Sequence, residues 1–201
     1  TQSRSSAASD VYKRQSDTLH FILDTGVSST IITDPSIIPY INSQFVRTIQ
    51  LDGVGQDSTL EAQVSIGNTL QVGYARTFNH NLVVLKNDLL KLSELIGTPI
   101  HGLIGYELFE RFVVTIDFRQ REILLQYPQH YRYRPRKGAK VPLDLVDRKP
   151  YINDVVIRGK GGEQKVNLLL DTGAGHAVML NTYSTHIPLP DTTVEVQLGV
   201  G

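Results

Sequence analysis

A segment that occurs twice constrains this 201-residue chain more than any other feature of its sequence. The run Phe-Ile-Leu-Asp-Thr-Gly occupies residues 21–26, and the run Leu-Leu-Leu-Asp-Thr-Gly occupies residues 168–173. Each run joins an apolar stretch to a turn, a small polar stretch and a second apolar stretch. The offset of 147 positions also relates Ile-Gln-Leu at 49–51 to Val-Gln-Leu at 196–198, and glycines follow both. A repeat of this length indicates duplicated architecture.

The two copies differ in what surrounds them. We call the repeat that contains residues 21–26 copy one and the repeat that contains residues 168–173 copy two. Strand-like sequence at 141–145 and 150–157 precedes the turn of copy two. Residues 1–15, which precede copy one, are rich in Ser, Arg and Ala and show no strand pattern. We therefore expect residues 1–15 to be a non-native, adapter-derived segment outside the fold. Copy one continues to Gln126 and copy two stops at Gly201, so we expect a fragment that is open at both ends. The resulting division is a first lobe at 16–127, a linker at 128–140 and an incomplete second lobe at 141–201.

Strand patterns dominate both copies, and 16 Gly together with many Val, Ile, Thr and Tyr favour an all-β fold. One helix is predicted at 89–96, where leucines and an isoleucine follow helical spacing. Asn87 or Asp88 would cap its start, and Gly97 would end it. Its apolar face would lie in the core. In copy one the predicted strands are 19–23, 31–32, 47–51, 60–66, 70–72, 82–84, 112–118 and 123–125.

Composition excludes several classes of function. The chain has 20 Lys and Arg against 20 Asp and Glu, so a protein that coats nucleic acid is not favoured, and the basic, tyrosine-containing stretch at 131–137 is interpreted as a solvated connector. There is no Cys, which removes disulfides, zinc-thiolate sites and Cys nucleophiles. The six His show no metal-type spacing, and His176 is expected to pack rather than to line a cleft. We therefore expect no metal and no cofactor.

The paired Asp-Thr-Gly turns suggest a specific chemistry. A single such turn is most often a surface turn in which the aspartate binds its own backbone. Two of them, related by pseudo-twofold symmetry, would set Asp24 against Asp171, and two close carboxylates share one proton. The ionised member would act as general base on a water, while the protonated member would polarise a carbonyl group. Thr25 and Thr172 could form hydrogen bonds across the symmetry axis and hold the turns rigid.

The chain resembles the aspartic proteases, specifically retropepsin-like repeats fused in one chain, as in bacterial aspartyl protease family proteins. The resemblance covers residues 17–201 and combines the two Asp-Thr-Gly turns with an apolar-apolar-Gly run and a glycine-containing hairpin tip. It implies an acid-protease fold of the pepsin/retropepsin type, with two related β-lobes and a truncated second lobe. The matching positions are Asp24 and Asp171 as catalytic residues; Thr25, Gly26, Thr172 and Gly173 as their support; Leu103, Ile104 and Gly105 as the structural buttress; and Gly53, Val54 and Gly55 as the flap over the substrate.

The resemblance also implies an aspartic endopeptidase that hydrolyses peptide or protein substrates with an activated water. By the same resemblance we expect an exported or periplasmic protein, with room for a further C-terminal domain in the full-length parent. Two alternatives stay open. The first is a retropepsin-like peptide-binding module that is catalytically inactive, since the second lobe is incomplete. The second, more remote, is an actin-like nucleotide-binding protein, which also carries two Asp-containing loops but needs many more helices than this sequence predicts.

Overall fold

The computed structural model describes residues 3–6, 9–14, 17–42, 44–52, 59–133, 138–159 and 162–180. Strands account for 50% of the structure and helices for 14%, so the chain is mostly β, with mixed sheets, as the sequence predicts. In the ranges just given, no helix is long and apolar enough to cross a membrane.

The strands are short to medium in length, and the two α-helices have only five and six residues. Two 3₁₀ turns lie at Pro35–Tyr40 and Pro128–His130. The strands are β1 (Ser3–Ser6), β2 (Ser9–Arg14), β3 (Asp17–Leu23), β4 (Ile31–Ile32), β5 (Phe45–Asp52), β6 (Thr59–Val72), β7 (Ala75–Leu85), β8 (Gly102–Ile104), β9 (Val113–Asp117), β10 (Glu122–Gln126), β11 (Asp144–Val146), β12 (Lys149–Gly159) and β13 (Gly162–Leu169); the helices are α1 (Leu92–Ile96) and α2 (Tyr106–Arg111).

A seven-stranded mixed sheet carries the first repeat, in the order β2-β3-β8-β4-β7-β6-β5. β8 runs parallel to β3 and antiparallel to β4, with Leu103 opposite Ile22 on one side and opposite Ile31 on the other. β3 enters the first Asp-Thr-Gly turn and β4 leaves it. The short strand β8 therefore separates the two strands that flank this turn, and the parallel pairing requires the long connection that precedes it.

The second repeat begins with a smaller, antiparallel sheet in the order β11-β12-β13. β13 leads into the second Asp-Thr-Gly turn as β3 leads into the first. A third sheet has the order β1-β10-β9. Between the two copies, the described part of the predicted linker holds one 3₁₀ turn, Pro128–His130, and otherwise irregular chain.

The structure differs from the sequence prediction at residues 1–15. β1 pairs with β10 and β2 pairs with β3, so both runs belong to sheets although their composition predicts no strand. The physical reason is that ladder hydrogen bonds join main-chain groups, and an open edge of β10 or β3 accepts any extended backbone. The adapter-derived origin of this segment stays a prediction.

The main core lies between the seven-stranded sheet and the elements that follow β8. On β3, Leu19 and Phe21 alternate toward it, as the two-residue period of a strand requires. A second, smaller cluster lies around Ala62, Val83 and Leu85. The other buried apolar members of the main core are Ile32, Ile37, Ile41, Leu70, Val72, Ala75, Leu82, Val84, Ile104, Leu108, Phe112, Ile123 and Leu125.

The prediction of a buried helix at 89–96 is wrong in its start and in its burial. α1 begins only at Leu92, because the Asp88 carboxylate accepts a hydrogen bond from the Lys91 amide and Lys91 takes a left-handed φ of 46°. The resulting single helical turn contains no buried residue: Leu95 is 66% exposed and Ile96 is 50% exposed. Its end is as the sequence predicts, with Gly97 in the left-handed region.

We expect Gly102→Ala to destabilise the fold strongly. A Cβ at this position of β8 would lie 2.1 Å from the Ile31 carbonyl oxygen and 2.9 Å from the Phe21 ring. The clash is with backbone, so its relief requires β8 to move, and we expect a loss of at least about 2 kcal/mol in the free energy of unfolding. Gly175→Ala is the matched control, because nothing lies within 4 Å of its Cβ. Equal urea midpoints for the two variants would contradict this placement of β8.

Candidate active site

The two Asp-Thr-Gly turns lie against each other and are joined by a reciprocal set of hydrogen bonds. The Thr25 amide donates to the Thr172 hydroxyl at 3.1 Å, and the Thr172 amide donates to the Thr25 hydroxyl at 3.0 Å. Each hydroxyl also donates across the contact, Thr25 to the Leu170 carbonyl at 2.5 Å and Thr172 to the Leu23 carbonyl at 2.7 Å. The four bonds form two equivalent pairs, which gives the contact pseudo-twofold symmetry.

This contact brings the two aspartates together over the glycines of the turns. The Gly26 amide donates to Asp24 Oδ1 at 2.7 Å, and the Gly173 amide donates to Asp171 Oδ1 at 2.8 Å. A Cβ on Gly26 would lie 2.8 Å from Asp171 Cγ, and one on Gly173 would lie 2.6 Å from Asp24 Cγ. Both distances are shorter than real Cβ contacts, so only glycine allows each carboxylate to approach the opposite turn.

The two carboxylates lie in different environments. Asp24 is 9% exposed, whereas Asp171 is exposed. Burial raises the pKa of Asp24 to about 6, and the negative charge of Asp171 and a hydrogen bond with it add to the effect. The Gly26 amide and the positive charge of Lys149 act in the opposite direction. Asp24 therefore holds a proton more readily than an ordinary aspartate does.

The apolar-apolar-Gly run lies directly behind the first turn. The Asp24 amide donates to the Ile104 carbonyl at 2.9 Å, and the Tyr106 amide donates to the Val27 carbonyl at 3.1 Å. A Cβ on Gly105 would lie 2.7 Å from the Val27 oxygen. The chain from β8 into α2 thus contacts the entrance of the turn and the residue that follows Gly26. Behind the second turn, the Leu170 amide donates to the Pro150 carbonyl at 2.9 Å.

The residues predicted as a flap, Gly53, Val54 and Gly55, lie outside the described residues, and so does the counterpart at 198–201. The strands that lead to them are described. β5 and β6 form an antiparallel ladder that reaches Asp52 opposite Thr59. The described part of this ladder therefore ends at the residue before Gly53.

A cavity of about 770 Å³ opens beside Asp171, between β12, β13 and residues 174–180. Its walls are largely apolar, and the repeat offset of 147 relates them to core residues of copy one. Leu168 corresponds to Phe21, and Met179 corresponds to Ile32; both copy-one residues are buried. We therefore interpret the cavity as a face of the second copy that corresponds to the core of copy one and that the described residues leave open, rather than as a ligand pocket.

The prediction that the His176 side chain packs against the protein is wrong. The side chain is exposed and lines the cavity beside Asp171. The physical reason is that residues 174–180 form no strand and lie on the surface, whereas the prediction assumed the packed environment that copy one has at the same place.

Two cations near the turns were not found from the sequence. Lys149, at the start of β12, lowers the pKa of Asp24 by its positive charge. Its neighbour Arg148 lies with its guanidinium carbon 5.9 Å from the centre of the Tyr106 ring on α2, which joins the two copies a second time. The repeat gives no signal for either residue, because the region before β3 in copy one falls in the segment at 1–15.

Among the residues that the structure describes, no group of three or more His, Asp and Glu side chains could hold a metal ion.

No protein-family model matches this chain, and no curated protein matches it.

We expect Asp24→Asn to stabilise the protein at pH 7.5 and to leave its stability nearly unchanged at pH 3.5. Because the folded-state pKa of Asp24 is raised from 3.8 to about 6, its favourable contribution is complete below pH 3.8 and is lost as the pH rises toward 6. Asparagine keeps the acceptor for the Gly26 amide without the charge. The melting temperature at pH 7.5 should rise by at least about 2–4 °C.

Asp117→Asn is the control for this experiment, since Asp117 accepts two backbone amides in an exposed hairpin turn. An equal effect of both substitutions at pH 7.5, or a pH-independent effect of Asp24→Asn, would contradict the assigned environment of Asp24.

We expect Thr172→Val to lower the free energy of unfolding by about 1–3 kcal/mol, because it leaves the buried Thr25 amide without its acceptor. Thr172→Ser keeps the hydroxyl and should retain most of the stability. Urea unfolding of the two variants measures the difference. Equal losses in both would mean that the methyl group, and not the hydrogen bond, matters at this position.

Proposed function

We propose that this chain is an aspartic endopeptidase, a peptide-bond hydrolase of the pepsin/retropepsin-like acid-protease fold with two related lobes. The observation that carries the proposal is the contact between the two turns: an internal repeat delivers Asp24 and Asp171 to one site, where reciprocal threonine hydrogen bonds hold them. Structural turns of this type have no need to meet. Two carboxylates that share a proton are suited to activating water without a metal or a nucleophilic side chain.

The topology of the first copy supports the proposed fold. A strand of apolar-apolar-Gly sequence passes between the two strands that flank the first turn and binds the turn by main-chain hydrogen bonds. In the second copy, β12 and β13 form a hairpin that leads into the second turn. The relation between Asp171 and β13 repeats the relation between Asp24 and β3.

The proposed reaction uses the two aspartates in different protonation states. Asp24, whose pKa is raised, holds the shared proton, and Asp171 acts as the general base. Asp171 takes a proton from water while the water oxygen bonds to the carbonyl carbon, and Asp24 gives its proton to the carbonyl oxygen. In the second step Asp171 protonates the amide nitrogen, the carbon–nitrogen bond breaks, and Asp24 recovers a proton from one hydroxyl. The products are a carboxylic acid and an amine, and both aspartates return to their starting states.

The hydrogen bonds of the turns provide the positioning that this reaction needs. Gly26 and Gly173 each hold Oδ1 of their own aspartate, and Oδ2 of each aspartate lies close to the opposite glycine. The geometry is fixed before a substrate binds, so little reorganisation is required as charge develops. A substrate in extended conformation would place its scissile carbonyl above the pair and add its backbone to a neighbouring strand.

The test is cleavage of a fluorogenic peptide library by the purified chain between pH 3 and pH 8. We expect activity that decreases as the pH rises above about 6, where Asp24 loses its proton, and that is blocked by pepstatin. Asp24→Asn and Asp171→Asn should each reduce kcat by at least about 1000-fold while the fold is retained, since general acid–base groups contribute on that order.

Asp117→Asn is the control for a carboxylate outside the site. Activity that survives in Asp24→Asn would contradict the proposed dyad. Peptide binding without cleavage at any pH would favour the inactive peptide-binding module instead, and a melting temperature raised by ATP with Mg²⁺ would favour nucleotide binding.

A further inference from the structure

A chain of three polar side chains, two of them buried, lies behind the exit of the first Asp-Thr-Gly turn. Thr30, which is fully buried, lies between the turn and β4, and His80 on β7 is 2% exposed. Glu107 belongs to the first turn of α2 and is partly buried. Glu107 has no part in the mechanism described above, and it is the acidic residue closest in sequence to the buttress.

Every polar group of Thr30 has a partner. Its amide donates to Glu107 Oε2 at 3.0 Å, and its carbonyl accepts from the Val83 amide at 3.0 Å. Its hydroxyl lies 3.0 Å from His80 Nε2 and 3.4 Å from Glu107 Oε2. Thr30 therefore fixes the chain between α2 on one side and β7 on the other.

The protonation states give this chain of hydrogen bonds one direction. Burial lowers the pKa of His80 to about 4, with a further contribution from the charge of Arg111, so the ring is neutral at neutral pH. Because the Thr30 hydroxyl gives its single hydrogen to Glu107, the neutral ring carries its hydrogen on Nε2 and donates it to that hydroxyl. Burial raises the pKa of Glu107, whereas hydrogen bonds from Ser29 and Thr30 favour its ionised form.

Glu107 thus completes the attachment of the first turn to the chain behind it. Ile104 accepts from the Asp24 amide at the entrance, the Tyr106 amide binds Val27 in the middle, and Glu107 binds Thr30 at the exit. The first two attachments use backbone groups only. Glu107 supplies the one that depends on a side chain.

We propose that Glu107 is a positioning residue of the active site, which holds Asp24 in register with Asp171 by fixing the exit of the first turn at Thr30. This inference rests on the proposed protease function. Without the carboxylate, the buried Thr30 amide has no acceptor, and the segment at 27–30 must shift to find one. A displacement of about 1 Å at a catalytic group is enough to reduce kcat by about 100-fold.

Three variants separate hydrogen bonding from charge and from volume. Glu107→Gln keeps an acceptor oxygen at the same place, Glu107→Asp keeps the charge on a shorter side chain, and Glu107→Leu keeps the volume without an acceptor. We expect kcat to fall at least about 10-fold in the Leu variant, to fall less in the Asp variant, and to stay within about 3-fold of the wild type in the Gln variant. KM should be unchanged in all three, because Glu107 touches no substrate.

Glu110→Leu is the control, since Glu110 is exposed on the same helix. An unchanged kcat in Glu107→Leu overturns the proposal, and so does an equal loss in the Gln and Leu variants. If Glu107→Leu does not fold, the contrast between the Asp and Gln variants decides, since both retain a polar side chain.

A second measurement distinguishes failure of this proposal from failure of the proposed function. Amide hydrogen exchange of the full chain, followed by NMR, reads the turn without any substrate. We expect Glu107→Leu and Glu107→Asp to accelerate exchange at Thr30 and also at Gly26, and Glu107→Gln to leave both slow. An inactive wild type with this exchange pattern removes the protease function but keeps the positioning role. Acceleration at Thr30 alone, with Gly26 unchanged, overturns the positioning role.

Discussion

The hydrogen bonds of Thr25 and Thr172 are the interaction on which the rest of the site depends. Each hydroxyl both accepts an amide and donates to a carbonyl of the opposite copy, so neither turn satisfies its polar groups alone. The bonds form only if the strands that precede the turns, β3 and β13, deliver them to the same place. The two copies are therefore coupled at the turns, with Arg148 against the Tyr106 ring as a further contact, and the approach of the two aspartates follows from the threonine bonds.

This arrangement has an electrostatic cost at its centre. Asp24 loses most of its contact with water and gains a second carboxylate as a neighbour, both of which disfavour its ionised form. The Gly26 amide and Lys149 only partly offset these effects. A fold selected for stability alone would avoid such a pair, so the unfavourable environment is itself an argument for a functional role.

The sequence predicts those features that depend on local pattern. The repeat identifies both turns, and glycine at 97 predicts the end of α1, because each follows from a few adjacent residues. Exposure of α1, the strands within residues 1–15 and the exposed position of His176 could not be predicted, since they depend on which surfaces are covered and which sheet edges are open. Glu107 was missed because an acidic residue in the first turn of a helix is ordinarily explained by the helix dipole.

The same tripeptide in two environments provides the asymmetry that the proposed reaction requires. The first turn lies against β8 and α2, and these exclude water from Asp24. The second turn lies beside an open cavity, so Asp171 is exposed. The motif fixes where the two carboxylates lie, whereas the packing around the first turn raises the pKa of Asp24. In the proposed reaction, the division into acid and base therefore depends on the surrounding packing, and Lys149, which lies outside the motif, takes part in setting it.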